Sequence, residues 1–70
     1  MPDKPTVYQK SLAEFIKRNC IDSAKQAYID ALIAGLCQEG AFEASISALE
    51  MTDIDVLIKQ FEKELNSHSN

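Results

Sequence analysis

The chain has 70 residues, and its seven basic and eleven acidic side chains give a formal net charge of −4. This length allows one small domain and leaves little depth for a buried substrate pocket. The aliphatic and aromatic content of 46% is too high for a disordered acidic tail. The negative charge also argues against general binding to nucleic acid or to anionic membranes.

Few residues in the sequence would interrupt a helix. Both prolines, Pro2 and Pro5, lie within the first five residues, and the only glycines are Gly35 and Gly40. β-Branched residues do not alternate with polar residues over any long segment, which argues against strands. We therefore predict an all-α fold, a compact bundle of three to four short helices, preceded by an N-terminal arm at residues 1–5.

Helix starts are indicated by three motifs of the capping type. A hydroxyl-bearing residue at such a start accepts a hydrogen bond from an unpaired backbone N–H, and the residue three positions later reaches back. The three motifs are Thr6 with Gln9, Ser23 with Gln26, and Thr52 with Asp55. Together they predict three of the helix starts along the chain.

The predicted helices form one domain at residues 6–65, followed by a frayed tail at residues 66–70. We expect Gly40 to adopt the left-handed conformation that ends a helix. We expect Gly35 to lie inside a helix, at a position where a Cβ would clash with a neighbour. The predicted helices lie at about 7–19, 24–39, 41–50 and 53–65.

The first and last predicted helices each have one apolar stripe with the i, i+3, i+4 spacing of an amphipathic helix. The stripe of the first helix consists of Tyr8, Leu12, Phe15, Ile16 and either Asn19 or Cys20. The stripe of the last helix consists of Ile54, Leu57, Ile58, Phe61 and Leu65. Both stripes are expected to face the core.

The second predicted helix is apolar on nearly all sides, because residues 31–37 include no charged side chain. A helix of this kind is normally surrounded on all sides, which three short helices can hardly achieve. It is therefore either the central helix of the core or an interface with another chain. The candidate interface residues are Ile29, Ile33, Ala34, Cys37 and Phe42.

Small residues also recur at helical spacing in the second and third predicted helices. Such rows allow two helix backbones to approach closely, either within one chain or between two chains. The rows are Ala24, Ala27, Ala31 and Gly35, and Ala41, Ala44 and Ala48.

The side chains that could support catalysis or bind a metal form no recognisable motif. Cys20 and Cys37 are seventeen positions apart, and the only histidine, His68, falls in the predicted tail. The carboxylates are accounted for by helix starts and solvated faces, and the calcium-loop signature is absent. We therefore expect no enzymatic activity, no cofactor and no metal site.

By elimination, the sequence predicts a small protein-binding accessory, adaptor or regulatory domain that acts through helix-mediated association. Its partner would be another protein or a second copy, as in a homodimer. The sequence has neither an apolar segment long enough to span a membrane nor an N-terminal signal core, so we expect a cytoplasmic protein with reduced thiols.

Three alternative functions remain open. An acidic inhibitor or antitoxin-like protein that masks a basic site would suit the charge of −5 on residues 31–70, against +1 on residues 1–30. A helix-turn-helix DNA-binding regulator would suit the helix order around Gly40, but residues 42–50 include no Lys, Arg, Asn or Gln. The third alternative is a carrier protein, suggested by Ser23 after Asp22 at a helix start, or a minor subunit of an enzyme complex.

Overall fold

The structure, a computed structural model, describes residues 4–68, which form three helices and no strand. The helices are α1 (Val7–Ile33), α2 (Gln38–Glu50) and α3 (Ile54–His68). The predicted all-α class is therefore confirmed, whereas the predicted map of four short helices is wrong. Residues 1–3 of the predicted arm and residues 69–70 of the predicted tail lie outside the described part.

Helix α1 begins at the predicted capping box. The backbone N–H of Gln9 donates to Thr6 Oγ1 at 3.0 Å, and the Thr6 N–H donates to Gln9 Oε1 at 3.0 Å. Two backbone donors that the first turn would leave unpaired are thus satisfied by two side chains. The start of the first helix is confirmed to the residue.

Helix α1 continues through Ser23, where we had predicted a new helix. The Gln26 side chain, predicted to reach back to Ser23, instead donates from Nε2 to Asp30 Oδ1 at 2.9 Å. Neither glycine nor proline occurs within α1, so each further residue can add an i→i−4 hydrogen bond. A serine permits a helix start but does not impose one. The two predicted helices are therefore one helix of 27 residues.

Helix α1 ends in a turn of the Schellman type at Gly35, earlier than predicted. Gly35 has a φ of +98°, a conformation that favours glycine. The N–H of Leu36 donates to the carbonyl of Ala31 and the N–H of Gly35 to that of Leu32, both at 3.0 Å. A Cβ added at Gly35 would find no atom within 4 Å, so the predicted clash inside a helix is wrong.

Helix α2 begins three residues earlier than predicted, and Gly40 lies in its first turn. Cys37 occupies the N-cap position without a side-chain capping bond. A Cβ at Gly40 would lie 3.3 Å from Leu36 Cδ2, so Gly40 allows a close approach and does not end a helix. The two glycines thus have the reverse of their predicted roles.

Helix α3 is capped by Asp53, one residue after the predicted Thr52. The Val56 N–H donates to Asp53 Oδ1 at 3.2 Å, while Thr52 Oγ1 donates back to the carbonyl of Ala48 at 2.9 Å. Aspartate is at least as good an N-cap as threonine, so Thr52 is available to close α2. At its other end α3 continues through residues 66–68, which were predicted to fray.

The chain forms two compact units, and the boundary between them falls within α1. Among the described residues, unit 1 consists of residues 4–18 and 53–68, and unit 2 consists of residues 19–52. Within unit 1 the buried side chains are Leu57 and Phe61. The Phe61 ring centroid lies 5.3 Å from that of Phe15 and 5.8 Å from that of Tyr8. The centres of the two predicted apolar stripes therefore meet in this unit.

Unit 2 buries small residues instead. Ala41 is completely buried and Ala31 is 8% exposed. The other alanines of the two predicted rows, Ala24, Ala27, Ala44 and Ala48, are half-buried. This burial pattern favours packing of the two rows within the chain.

Within residues 4–68, none of the helices has both the length and the apolar character that crossing a membrane requires.

Candidate protein-binding surface

The five predicted interface residues are all exposed. Ile33 is 79% exposed, Phe42 60% and Ile29 48%, and Ala34 and Cys37 also belong to the exposed class. They belong to the end of α1, the turn that follows it and the start of α2, all within unit 2. We call these five residues the corner surface. Ile29, Ile33 and Cys37 therefore do not fill the core of the chain, as the first of the two interpretations of the second predicted helix requires.

The end of α1 explains why two of these residues are left uncovered. Ile29 and Ile33 are four positions apart and so lie on one face of the helix. Ile33 is the last residue of α1, because the chain turns away at Gly35. No further helical turn follows to cover it. The Schellman turn thus leaves a β-branched apolar residue at the helix end.

The start of α2 combines an aromatic ring with acidic side chains. Glu39 and Glu43 lie three residues before and one residue after Phe42, and together with Gln38 they line a shallow depression of about 380 Å³. The carbonyl of Phe42 accepts a hydrogen bond from Ser45 Oγ at 2.7 Å. Phe42 is therefore an exposed ring between two carboxylates on a regular helix.

Several exposed apolar side chains of unit 2 were missed by the sequence reasoning. The largest omission is Met51, which is 81% exposed at the C-cap of α2. The Schellman pattern, an apolar run followed by Gly35 and Leu36, could have located the end of α1 but does not indicate these exposed residues. The other omissions are Ile21, Leu32, Leu36, Ile46 and Leu49.

Unit 1 has a surface groove that we call the α1 groove, with a volume of about 470 Å³. Val7 and two aromatic rings, Phe15 and Phe61, form its apolar part. Lys10 and Arg18 contribute positive charge, and Glu14 lies between them in sequence. The residues that line it include Val7, Lys10, Glu14, Phe15, Arg18 and Phe61.

Tyr8 makes a polar contact in unit 1 between the start of α1 and α3. Its phenol donates a hydrogen bond to Glu62 Oε2 at 2.7 Å. This bond raises the pKa of Tyr8, because it favours the protonated phenol, and desolvation and the charge of Glu62 act in the same direction. The contact is a structural hydrogen bond on the surface of the unit.

Within residues 4–68, the cysteines and carboxylates do not form a cluster that could hold a metal ion. Both thiols are free, with Cys20 half-buried and Cys37 exposed. Among residues 4–68, no group of three or more His, Cys, Asp or Glu side chains is placed to hold a metal ion. The candidate binding features of the described residues are therefore two surfaces, the corner surface and the α1 groove.

Comparisons of the chain with protein-family models, with curated proteins and with solved structures gave no match.

Proposed function

We propose that this chain is a small cytoplasmic protein-binding module, of an accessory, adaptor or regulatory kind, that acts through helix-mediated association at the corner surface. The observation that carries the proposal is the exposure of Ile33 and Phe42, at 79% and 60%, in a unit whose buried side chains are alanines. Full burial of a side chain of either type contributes about 1.5–3 kcal/mol. A partner that covered both would gain much of this energy.

The charges on α2 favour a protein partner over DNA. A helix followed by a four-residue turn and a second helix has the order of a helix-turn-helix motif. However, α2 carries Glu39, Glu43 and Glu50 and no Lys or Arg. A recognition helix would need cationic side chains to contact phosphates.

The carrier alternative loses its structural context. Ser23 lies within α1 and not at a helix start. A modified serine at the start of a helix was the only feature that suggested a carrier.

The proposal is tested by comparing Ile33→Asp with a matched control, Val56→Asp. Val56 is 45% exposed in unit 1 and belongs to neither surface. Sedimentation measures self-association of each purified variant. Capture from the cell of origin measures partner binding. We expect the wild type and Val56→Asp to associate, and Ile33→Asp to keep its helical circular dichroism while losing that association.

Three outcomes would overturn the proposal. Ile33→Asp could unfold, which would make Ile33 part of the core. It could associate as the wild type does. The wild type could also neither self-associate nor retain any protein that Ile33→Asp loses.

A further inference from the structure

Two surface features of the chain each combine an aromatic side chain with charged neighbours, and their net charges are opposite. The α1 groove in unit 1 contains Phe15 and Phe61 together with the cations Lys10 and Arg18. The start of α2 in unit 2 presents Phe42, 60% exposed, with Glu39 and Glu43 beside it. One is an apolar groove with a net positive rim, and the other is an apolar side chain with negative neighbours.

We propose that the α1 groove of one copy receives Phe42 of a second copy. This inference depends on the proposed function, because Phe42 belongs to the corner surface, and it names the partner as another copy of the same chain. Phe42 would lie against Phe15 and Phe61, since aromatic rings pack favourably edge to face or offset. A volume of about 470 Å³ is ample for one such side chain.

The charges determine which surfaces meet. Glu39 and Glu43 of one copy face Lys10 and Arg18 of the other, so groove-to-groove and corner-to-corner contacts bring like charges together. Glu14 also lines the groove and opposes the contact. Opposite charges at the rim of an interface mainly increase the association rate and select the partner, and added salt weakens them.

The contact joins two different surfaces of the chain. Two copies that fill each other's grooves form a closed two-fold dimer, whereas a pair joined by a single contact still presents a free groove and a free Phe42 and can grow into a ring or an open chain. The wild type is therefore expected to form species of two or more copies as its concentration rises.

The experiment is a complementation test with two variants, each defective on one side. Arg18→Glu reverses a charge in the groove, and Phe42→Ser removes the inserted ring. Both side chains are exposed, so both variants are expected to fold. Lys59→Glu is the matched control, because it reverses an exposed cation outside the groove. Should Arg18→Glu fail to fold, Lys10→Gln is the second groove variant.

Each defective variant is expected to sediment as a single chain, whereas the equimolar mixture forms a one-to-one complex that does not grow further. Native mass spectrometry identifies this complex, because the two variants differ in mass. Lys59→Glu is expected to behave as the wild type does, and Glu14→Gln is expected to associate more tightly.

Failure of this inference can be distinguished from failure of the proposed function. The inference is overturned if the mixture stays monomeric, if Arg18→Glu associates as the wild type does, or if the wild type never exceeds one chain. If Arg18→Glu associates normally while Ile33→Asp and Phe42→Ser do not, the corner surface binds something other than the groove. If all three variants associate normally, both proposals are wrong.

Discussion

The two units bury opposite kinds of side chain. Unit 1 encloses Phe61 and Leu57, whereas unit 2 encloses Ala31 and Ala41 and leaves Ile33 and Phe42 at its surface. Burial of alanine removes little apolar area from water, so unit 2 gains less hydrophobic stabilisation from its own interior. From this difference we expect unit 1 to supply most of the stability of the fold, whereas unit 2 leaves Ile33 and Phe42 exposed for the binding that we propose.

The largest difference in stability is expected between two phenylalanine substitutions, one in each unit. Phe61→Ala removes a buried ring that packs on Phe15 and Tyr8, at a cost of about 3–5 kcal/mol. A core in a domain of this size rarely supplies more than about 3–5 kcal/mol, so the variant should be largely unfolded. Phe42→Ala should change the free energy of unfolding by less than about 0.5 kcal/mol. Thermal and urea unfolding measure both.

The comparison between the two units is contradicted if Phe61→Ala and Phe42→Ala lower the free energy of unfolding by similar amounts. A large loss for Phe42→Ala in a dilute, monomeric sample would show that Phe42 stabilises the chain on its own. The division into a core-forming unit and a binding unit would then have to be abandoned.

The second largest change in the free energy of unfolding is expected for substitutions of the glycines of unit 2. Gly35→Ala and Gly35→Leu should both cost about 1–2 kcal/mol, because the cost comes from the positive φ. The two costs should be similar, since no atom lies within 4 Å of the added Cβ. Gly40→Ala is the matched control. Its gain in helix propensity of about 0.8–1 kcal/mol is opposed by a contact with the flexible end of Leu36, so its net effect should be small.

Thermal unfolding of the three glycine variants distinguishes strain from crowding. A much larger loss for Gly35→Leu than for Gly35→Ala would indicate a steric clash and contradict the Schellman turn.

A smaller effect is expected at the start of α1 in unit 1. Thr6→Ala removes the capping bond to the Gln9 N–H and should cost about 1 kcal/mol. Ser23→Ala is the matched control, because the same type of motif there lies within the helix. It should be neutral or stabilise by up to about 0.5 kcal/mol. In a domain of this size, 1 kcal/mol corresponds to about 4–8 °C in the unfolding midpoint. An equal loss for both variants would restore the predicted helix start at Ser23.

The smallest effect is a dependence on alkaline pH. The pKa of Tyr8 in the folded chain is raised above its ordinary value of 10.0 by the bond to Glu62. A raised pKa means that the folded state holds its proton more tightly than the unfolded state does. The bond therefore adds stability below about pH 10, and that contribution is lost as the pH rises through the folded-state pKa.

A Tyr28→Phe background leaves Tyr8 as the only tyrosine, so phenolate absorbance reports its titration directly. The titration midpoint should move down towards 10.0 in Glu62→Ala. An unchanged midpoint would mean that the bond to Glu62 does not form in solution.

The parts of the fold that could be predicted from the sequence depend on local signals without a competitor. The all-α class follows from the early prolines, and Thr6 with Gln9 has only one possible role at the end of an arm. Ser23 was misread because capping chemistry also exists inside helices, and the continuing helix was favoured. The roles predicted for Gly35 and Gly40 are reversed in the structure, because spacing alone does not reveal which of two nearby glycines has a positive φ.

Of the two candidate surfaces, the sequence indicated one and missed the other. The corner surface was named from excess apolar residues, and their exposure agrees with that argument. The α1 groove was missed because it needs Phe61, which follows Phe15 by 46 positions and belongs to another helix. Such a groove depends on tertiary packing, and the periodicity of a single helix does not reveal it.

The continuity of α1 has a consequence for how this chain can be divided. Boundaries between units normally fall in exposed linkers, but here the boundary between Arg18 and Asn19 lies within a regular helix. A cut at that point would leave four backbone carbonyls and four N–H groups without helical partners. Neither half is therefore a ready-made fragment for truncation, recombination or fusion. Inserted sequence should be tolerated better in the turns between the helices than within α1.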